Sequence, residues 1–166
     1  PSAVNEDSHM ANSPVVSIND AMKLFAGPVA YCFFSELRLA EATRSYWDRV
    51  ERFVCPDIDG IVPDGIPSER LTRYPWDTKV TKENMRELVR QQTVTHWGSA
   101  TAAMSFLAYE GFQKLRLIGF DGGTALAPGV TRGMQHGYNY DGFLNGQKEL
   151  AKVLTKEMGV TIEWLK

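Results

Sequence analysis

The residues with the most chemical potential lie in the second half of the chain. Asp121, followed by Gly122 and Gly123, comes just after the apolar run Leu115, Leu117, Ile118. In open α/β sheets ligands bind at the carboxyl ends of strands, so an acid followed by two glycines there marks the first place to look for a site. The alternative for Asp121 is a turn residue closed by its own Asx hydrogen bond. The next stretch carries Arg132, His136, Tyr138, Asn139, Tyr140 and Asp141. An imidazole titrates near neutrality and can remove a proton as a general base. A histidine flanked by glycines and tyrosines reads equally as a solvated loop side chain, and Tyr138 to Asp141 as a plain turn. Upstream, Gly98-Ser99 opens a helix rich in small residues. The first amides of a helix are unpaired and sit at the positive end of its dipole, which favours an anion. His96 and Trp97 precede it, either to stack on a base or to pack under a sheet. The same two readings, pocket or core, apply to Trp97, Trp76 and Tyr74. The three histidines are far apart and lack ligand spacing, so no metal site is expected. No GxxxxGK[ST] loop appears, which excludes a P-loop kinase.

These residues need elements to position them. Ala102, Ala103, Phe106 and Leu107 fall near helical spacing and give the helix after Gly98 one face to bury. Gly111 suits the left-handed residue that ends a helix. Leu115 to Ile118 reads as a buried parallel strand. Earlier, Val15, Val16 and Ile18 form a strand ending at Asn19-Asp20. A brief helix over Ala21 to Phe25 and a second strand over Val29 to Phe34 follow. Ser35 is the expected N-cap of a helix over Glu36 to Val50. Phe53 to Cys55 is a third strand. Pro56 to Pro75 is a long connection with one short strand at Leu71 to Tyr74. Thr81 caps a helix over about Lys82 to Arg90, with Met85, Leu88 and Val89 as its apolar stripe. Gly122 to Gly142 is a glycine-rich loop, expected to be mobile without ligand and to close over the site with it. The last helix runs from Gln147 to Met158 with Leu150, Val153 and Leu154 inward. Gly159 ends it, and Val160, Ile162 and Trp164 alternate as an edge strand. Strands alternating with helices mean βαβ units. The fold class is α/β, a three-layer α/β/α sandwich with a mostly parallel, Rossmann-like sheet.

At 166 residues the chain is one domain on the length prior and can bury a proper core. Its 43% hydrophobic and 23% charged content is that of an ordinary globular protein. A net charge of -2 argues against a general nucleic-acid binder. No apolar run is long enough to span a bilayer, and the sequence shows no signal peptide. Cys32 and Cys55 read as reduced core thiols of a cytoplasmic protein, with a disulfide as the alternative. The opening Pro1-Ser2-Ala3, without an initiator methionine, leads us to expect residues before it.

Three anchors in order carry a family resemblance. Pro1-Ser2 looks like the end of a Gly-Asn-Gly-Pro-Ser loop, followed by a strand ending in Asn, here Val-Val-Ser-Ile-Asn19. Gly98-Ser99 opens a small-residue helix that ends Glu-Gly111-Phe-Gln-Lys. The strand Leu-Arg-Leu-Ile-Gly119-Phe-Asp121 is the third. Together they resemble the bacterial lipooligosaccharide sialyltransferases, and equally the related motility-accessory and hydroxymethylpterin pyrophosphokinase-like proteins. The resemblance implies a nucleotide-binding fold, commonly for a cytidine monophosphate sugar. It assigns nucleotide binding to Ser2 and Asn19, approach to the donor at a helix N-terminus to Ser99, and a match to the family's strand-end acid to Asp121. Gly98, Gly122 and Arg132 are expected to bind ligand beside them. The resemblance makes His136 the catalytic base. The family's tyrosines soon after its Asp are replaced here by Gly123 and residues near Gly129, which leaves Tyr138 and Tyr140 to assist the leaving phosphate.

The expected activity is therefore metal-independent transfer of a sugar from a cytidine nucleotide donor to an acceptor hydroxyl. The expected partners are a nucleotide sugar and a glycan acceptor, without nucleic acid. No cofactor is expected. Two alternatives stand beside it. Pyrophosphoryl transfer onto a pterin would need Mg²⁺ and acids such as Asp121 and Asp141. A non-catalytic nucleotide- or sugar-binding module would bind without turnover.

Overall fold

The computed structural model describes residues 13–76, 79–118 and 140–165, apart from the side chains of Tyr140, Asp141 and Phe143. It is an α/β structure whose paired strands are all parallel. The chain divides into two compact units. The described residues of the first are 13–76, and those of the second are 79–118 and 140–165.

In the first unit, β1 (Val16–Ile18), β2 (Val29–Phe33), β3 (Val50–Pro56) and β4 (Leu71–Tyr74) form one sheet in the order β1-β2-β3-β4. Ser17 pairs with Cys32, Cys32 with Phe53, and Phe53 with Leu71, so these four share a face. Phe53, Phe34, Trp47 and Ala40 gather over that face with Met22 and Val50. The opposite face carries Phe33, Val54 and Tyr74, which are also buried. A strand covered on both faces cannot alternate apolar and polar residues, and β2 reads as a continuous apolar run for this reason. Trp47 meets Phe53 edge-on at 5.7 Å between ring centroids, a favoured aromatic geometry.

Parallel neighbours need crossovers, and here these are short. Between β1 and β2 runs a 3₁₀ turn, Asn19–Leu24. Between β2 and β3 the expected single helix is broken into α1 (Leu37–Glu41) and a 3₁₀ segment, Arg44–Arg49. The break falls at Thr43, whose hydroxyl donates to the Ala40 carbonyl. That local bond competes with helix propagation. The helix starts after Glu36, which caps it without a side-chain bond, so the N-cap lies one residue beyond Ser35. Val50 belongs to β3 rather than to the helix. The β3–β4 crossover contains no α-helix; Ile61, Val62 and Ile66 pack on the core in its place. Arg49 donates to the carbonyls of Phe25 and Met22, and Arg70 to those of Trp47 and Val50, so two guanidiniums tie the connections together.

The second unit contains α2 (Met85–Arg90), α3 (Ser99–Tyr109), β5 (Lys114–Ile118), α4 (Tyr140–Met158) and β6 (Thr161–Leu165). The helix begins only at Met85, and its N-cap is Asn84, without a side-chain cap bond, rather than Thr81. Thr81 instead closes the turn that leads into it. The Thr81 hydroxyl accepts from the Asn84 amide while the Asn84 side chain accepts from the Thr81 amide, the reciprocal pattern of a capping box. In α3 the burial is not one face: every residue from 101 to 108 is buried. Its end is as expected. Gly111 has φ +94°, its amide donates to Ala108 and that of Phe112 to Leu107, the paired bonds of a Schellman motif. β5 differs from the expected fully buried strand, because Lys114 and Arg116 are exposed and both pair with Glu163 of β6.

Helix α4 starts at Tyr140 rather than Gln147 and takes in the last residues of the expected loop. Leu150 and Leu154 are fully buried, and Val153 is half-buried. Gly159 ends the helix with φ +73° and donates to the Thr155 carbonyl. In the last strand segment Val160 is buried but Trp164 is 38% exposed, so the expected inward alternation stops at Ile162.

Candidate functional site

Asn19 directly follows β1 and is the first residue of the 3₁₀ turn. Its backbone sits at φ +55°, the left-handed region that Asn tolerates better than most residues. The turn it opens packs on β1, β2 and α1. Thus the conformation of Asn19 fixes where the chain goes at the carboxyl end of β1. Its Oδ1 is buried and has no hydrogen-bond partner among the described residues. The same is true of Ser17 Oγ, two residues earlier on the strand, in a side chain 4% exposed. A buried acceptor left unsatisfied costs about 1–3 kcal/mol, so two of them at one strand end are an expensive feature for packing alone. Asp20 beside them is buried too, with Lys23 at 3.5 Å. Ser17 was not singled out in the sequence, because one serine inside Val-Val-Ser-Ile carries no spacing signal.

The second group surrounds the start of α3. Gly98 is the N-cap, at φ +137°, a conformation that L side chains rarely adopt, and it has no side-chain cap to offer. Thr101 instead ties the preceding residues down from inside the helix. Its Oγ1 accepts from the Trp97 amide at 2.7 Å and donates to the Gly98 carbonyl at 2.9 Å. One turn further, Ser105 Oγ accepts from the Thr95 amide at 3.0 Å and lies 3.0 Å from the Thr101 carbonyl. Two small hydroxyls therefore hold residues 95–98 against the helix and place Ser99 at its first turn. The sequence signal for this was available as the Thr and Ser among the alanines, but these read only as small residues. Burial pushes His96 down to about 4, so its imidazole is neutral at physiological pH. It can offer a ring face or a neutral nitrogen, not a cation.

Of the expected site residues, Asn19 stands in the first unit, and Gly98 and Ser99 in the second. Tyr140 is the first residue of α4, a helical position rather than a loop one. Ser2, Asp121, Gly122, Arg132, His136 and Tyr138 lie outside the described residues, as does nearly all of the 122–142 loop. Tyr74 is core, 4% exposed, whereas Trp76 is 42% exposed, so these two do not share the role of lining a pocket. Cys32 and Cys55 are free buried thiols, pushed up to about 12 and about 11 by burial, and neither is poised as a nucleophile. Among the described residues, no three of His, Cys, Asp and Glu cluster as metal ligands, and no helix is long and apolar enough to cross a membrane.

No family model matches the chain, and neither a curated protein nor a solved structure matches it.

Proposed function

We propose that the chain is a glycosyltransferase of sialyltransferase type, with a three-layer, Rossmann-like sandwich as its fold. It transfers a sugar from a cytidine nucleotide donor to an acceptor hydroxyl. The observation that carries the reading is Asn19, held left-handed at a strand's carboxyl end with a buried, unsatisfied Oδ1. That acceptor suits a donor on a bound base or ribose. Gly98-Ser99 at the start of an eleven-residue helix adds support, because such a terminus suits a phosphate.

In this reading Ser2 and Asn19 hold the nucleotide, and Ser99 with the α3 amides steadies the phosphate. Asp121, Gly122 and Arg132 also bind the donor. His136 takes the proton of the acceptor hydroxyl as that oxygen attacks the anomeric carbon. The bond from sugar to phosphate breaks, and Tyr138 or Tyr140 donates a hydrogen bond to the departing phosphate. Preorganised donors at the leaving group lower the barrier without reorganising during the reaction.

The test is release of cytidine monophosphate from a cytidine-nucleotide sugar in the presence of a glycan acceptor, with and without a chelator. Turnover that survives chelation and disappears in His136→Ala supports the proposal. Pterin pyrophosphorylation abolished by chelation would replace it with the Mg²⁺-dependent alternative. Nucleotide binding without any turnover would leave a binding module.

A further inference from the structure

A second surface lies wholly within the second unit, where α4 meets β6. Lys148, Lys152 and Lys156 recur at four-residue spacing along one side of α4, and all three are exposed. Ala151 and Thr155 form the floor of a shallow groove beside them, and Ile162 and Trp164 of β6 form its other wall. Thr155 is anchored there by donating to the Val160 carbonyl at 2.8 Å. Trp164 is 38% exposed, one of only a few large apolar side chains that are open to solvent among the described residues. The one carboxylate in the lining is Glu149, which pairs with Lys152 at 2.8 Å. Lys82 also acts on Glu149, which adds a further positive charge near that end. The groove therefore has a basic wall and an apolar wall.

We propose that this groove docks an extended acidic segment of a partner protein in which acidic and apolar residues alternate. The spacings on both walls favour an extended chain. Four residues along a helix advance about 6 Å. Ile162 and Trp164, two residues apart on a strand, are separated by about 6.6 Å. An extended peptide presents alternate side chains to opposite sides at that same two-residue repeat. Acids on one side then meet Lys148, Lys152 and Lys156 in turn, while apolar residues on the other side meet Ile162 and Trp164. Single-stranded nucleic acid fits less well. It is normally held by a broadly basic groove with successive stacking aromatics, whereas this groove has one aromatic and an internal carboxylate.

The probe is a fluorescent peptide of about eight residues, alternating Glu and Leu, titrated with the full chain at low and high salt and read by anisotropy. The expected result is saturable binding that weakens with salt. Lys148→Glu combined with Lys156→Glu should weaken it by about tenfold or more, and Trp164→Ala by several-fold. All three positions are on the surface, and thermal melting of each variant checks that it is folded. A folded Lys152→Gln variant, which discharges the middle of the row, should give an intermediate loss. Absence of binding, binding indifferent to these substitutions, or tighter binding of a thymidine oligonucleotide than of the acidic peptide would each overturn the proposal.

Discussion

A Cβ built on Gly146 would stand 3.0 Å from Cδ2 of Trp97. The backbone of α4 therefore lies directly on the indole that precedes the start of α3. The glycine is a weak helix former kept in a helix interior, and contact with the ring accounts for it. Gly146→Ala gains about 1 kcal/mol of intrinsic helix propensity but crowds a ring whose own amide is tied to Thr101. Overpacking typically costs roughly 1–3 kcal/mol. The expected outcome is a lower Tm for Gly146→Ala and a much lower one for Gly146→Val. A higher Tm for the alanine variant would show that the indole yields freely.

Ser105 is fully buried and accepts the Thr95 amide. Ser105→Ala keeps the small volume and leaves that amide unsatisfied, at an expected cost of roughly 1–3 kcal/mol. Denaturant unfolding measures it directly. A loss near zero would mean that the amide finds another acceptor.

His96 gives the protein an expected pH signature. Its ordinary value of 6.5 falls to about 4 on folding, through loss of solvation. The folded state thus binds fewer protons than the unfolded chain between those values. Stability from the neutral imidazole is fully present above about pH 6.5 and is lost as pH falls from there toward about 4. The whole effect is at most roughly 3 kcal/mol. Unfolding free energy followed from pH 7 to 4 should fall more steeply for the parent than for His96→Gln. Parallel curves would contradict the burial of that ring.

Asn19 separates stability from function. Asn19→Gly keeps the left-handed backbone at no steric cost and removes an unsatisfied buried oxygen, so the unliganded protein should keep its Tm or gain a little. Nucleotide binding should fall sharply in the same variant. A large loss of stability would mean that Oδ1 has a structural partner, and unchanged binding would remove Asn19 from the site.

The sequence was most legible where local chemistry and burial agree. Gly111 was readable because a left-handed helix end admits little else, and Leu150 and Leu154 because α4 has a clear apolar side. The strand β2 was readable as an apolar run, and β3 over Phe53 to Cys55 only. The break at Thr43 was not, since it depends on one hydroxyl choosing the Ala40 carbonyl over solvent. Nor was the start of α4 at Tyr140: Gly142 read as the end of the loop and the helix was expected only after Gly146, a glycine that only the indole of Trp97 explains. The exposure of Lys114 and Arg116 on β5 was visible in their charge but was outweighed by the apolar run around them. In the candidate site, the places of Asn19 and Gly98-Ser99 at element ends were legible, while the ligand roles of Asn19 and Ser99 rest on the family resemblance. Ser17, Thr101 and Ser105 were missed because their meaning lies in partners distant or absent from the local pattern.

Binding of a cytidine nucleotide is measured by thermal melting of the chain with cytidine, adenosine and guanosine monophosphates at equal concentration. A ligand that binds only the folded state raises stability by mass action, about 2.7 kcal/mol at a hundredfold excess over its Kd. The largest rise in Tm is expected with cytidine monophosphate, and its loss in Asn19→Gly. Equal rises with all three nucleotides, or none, would contradict the preference for cytidine.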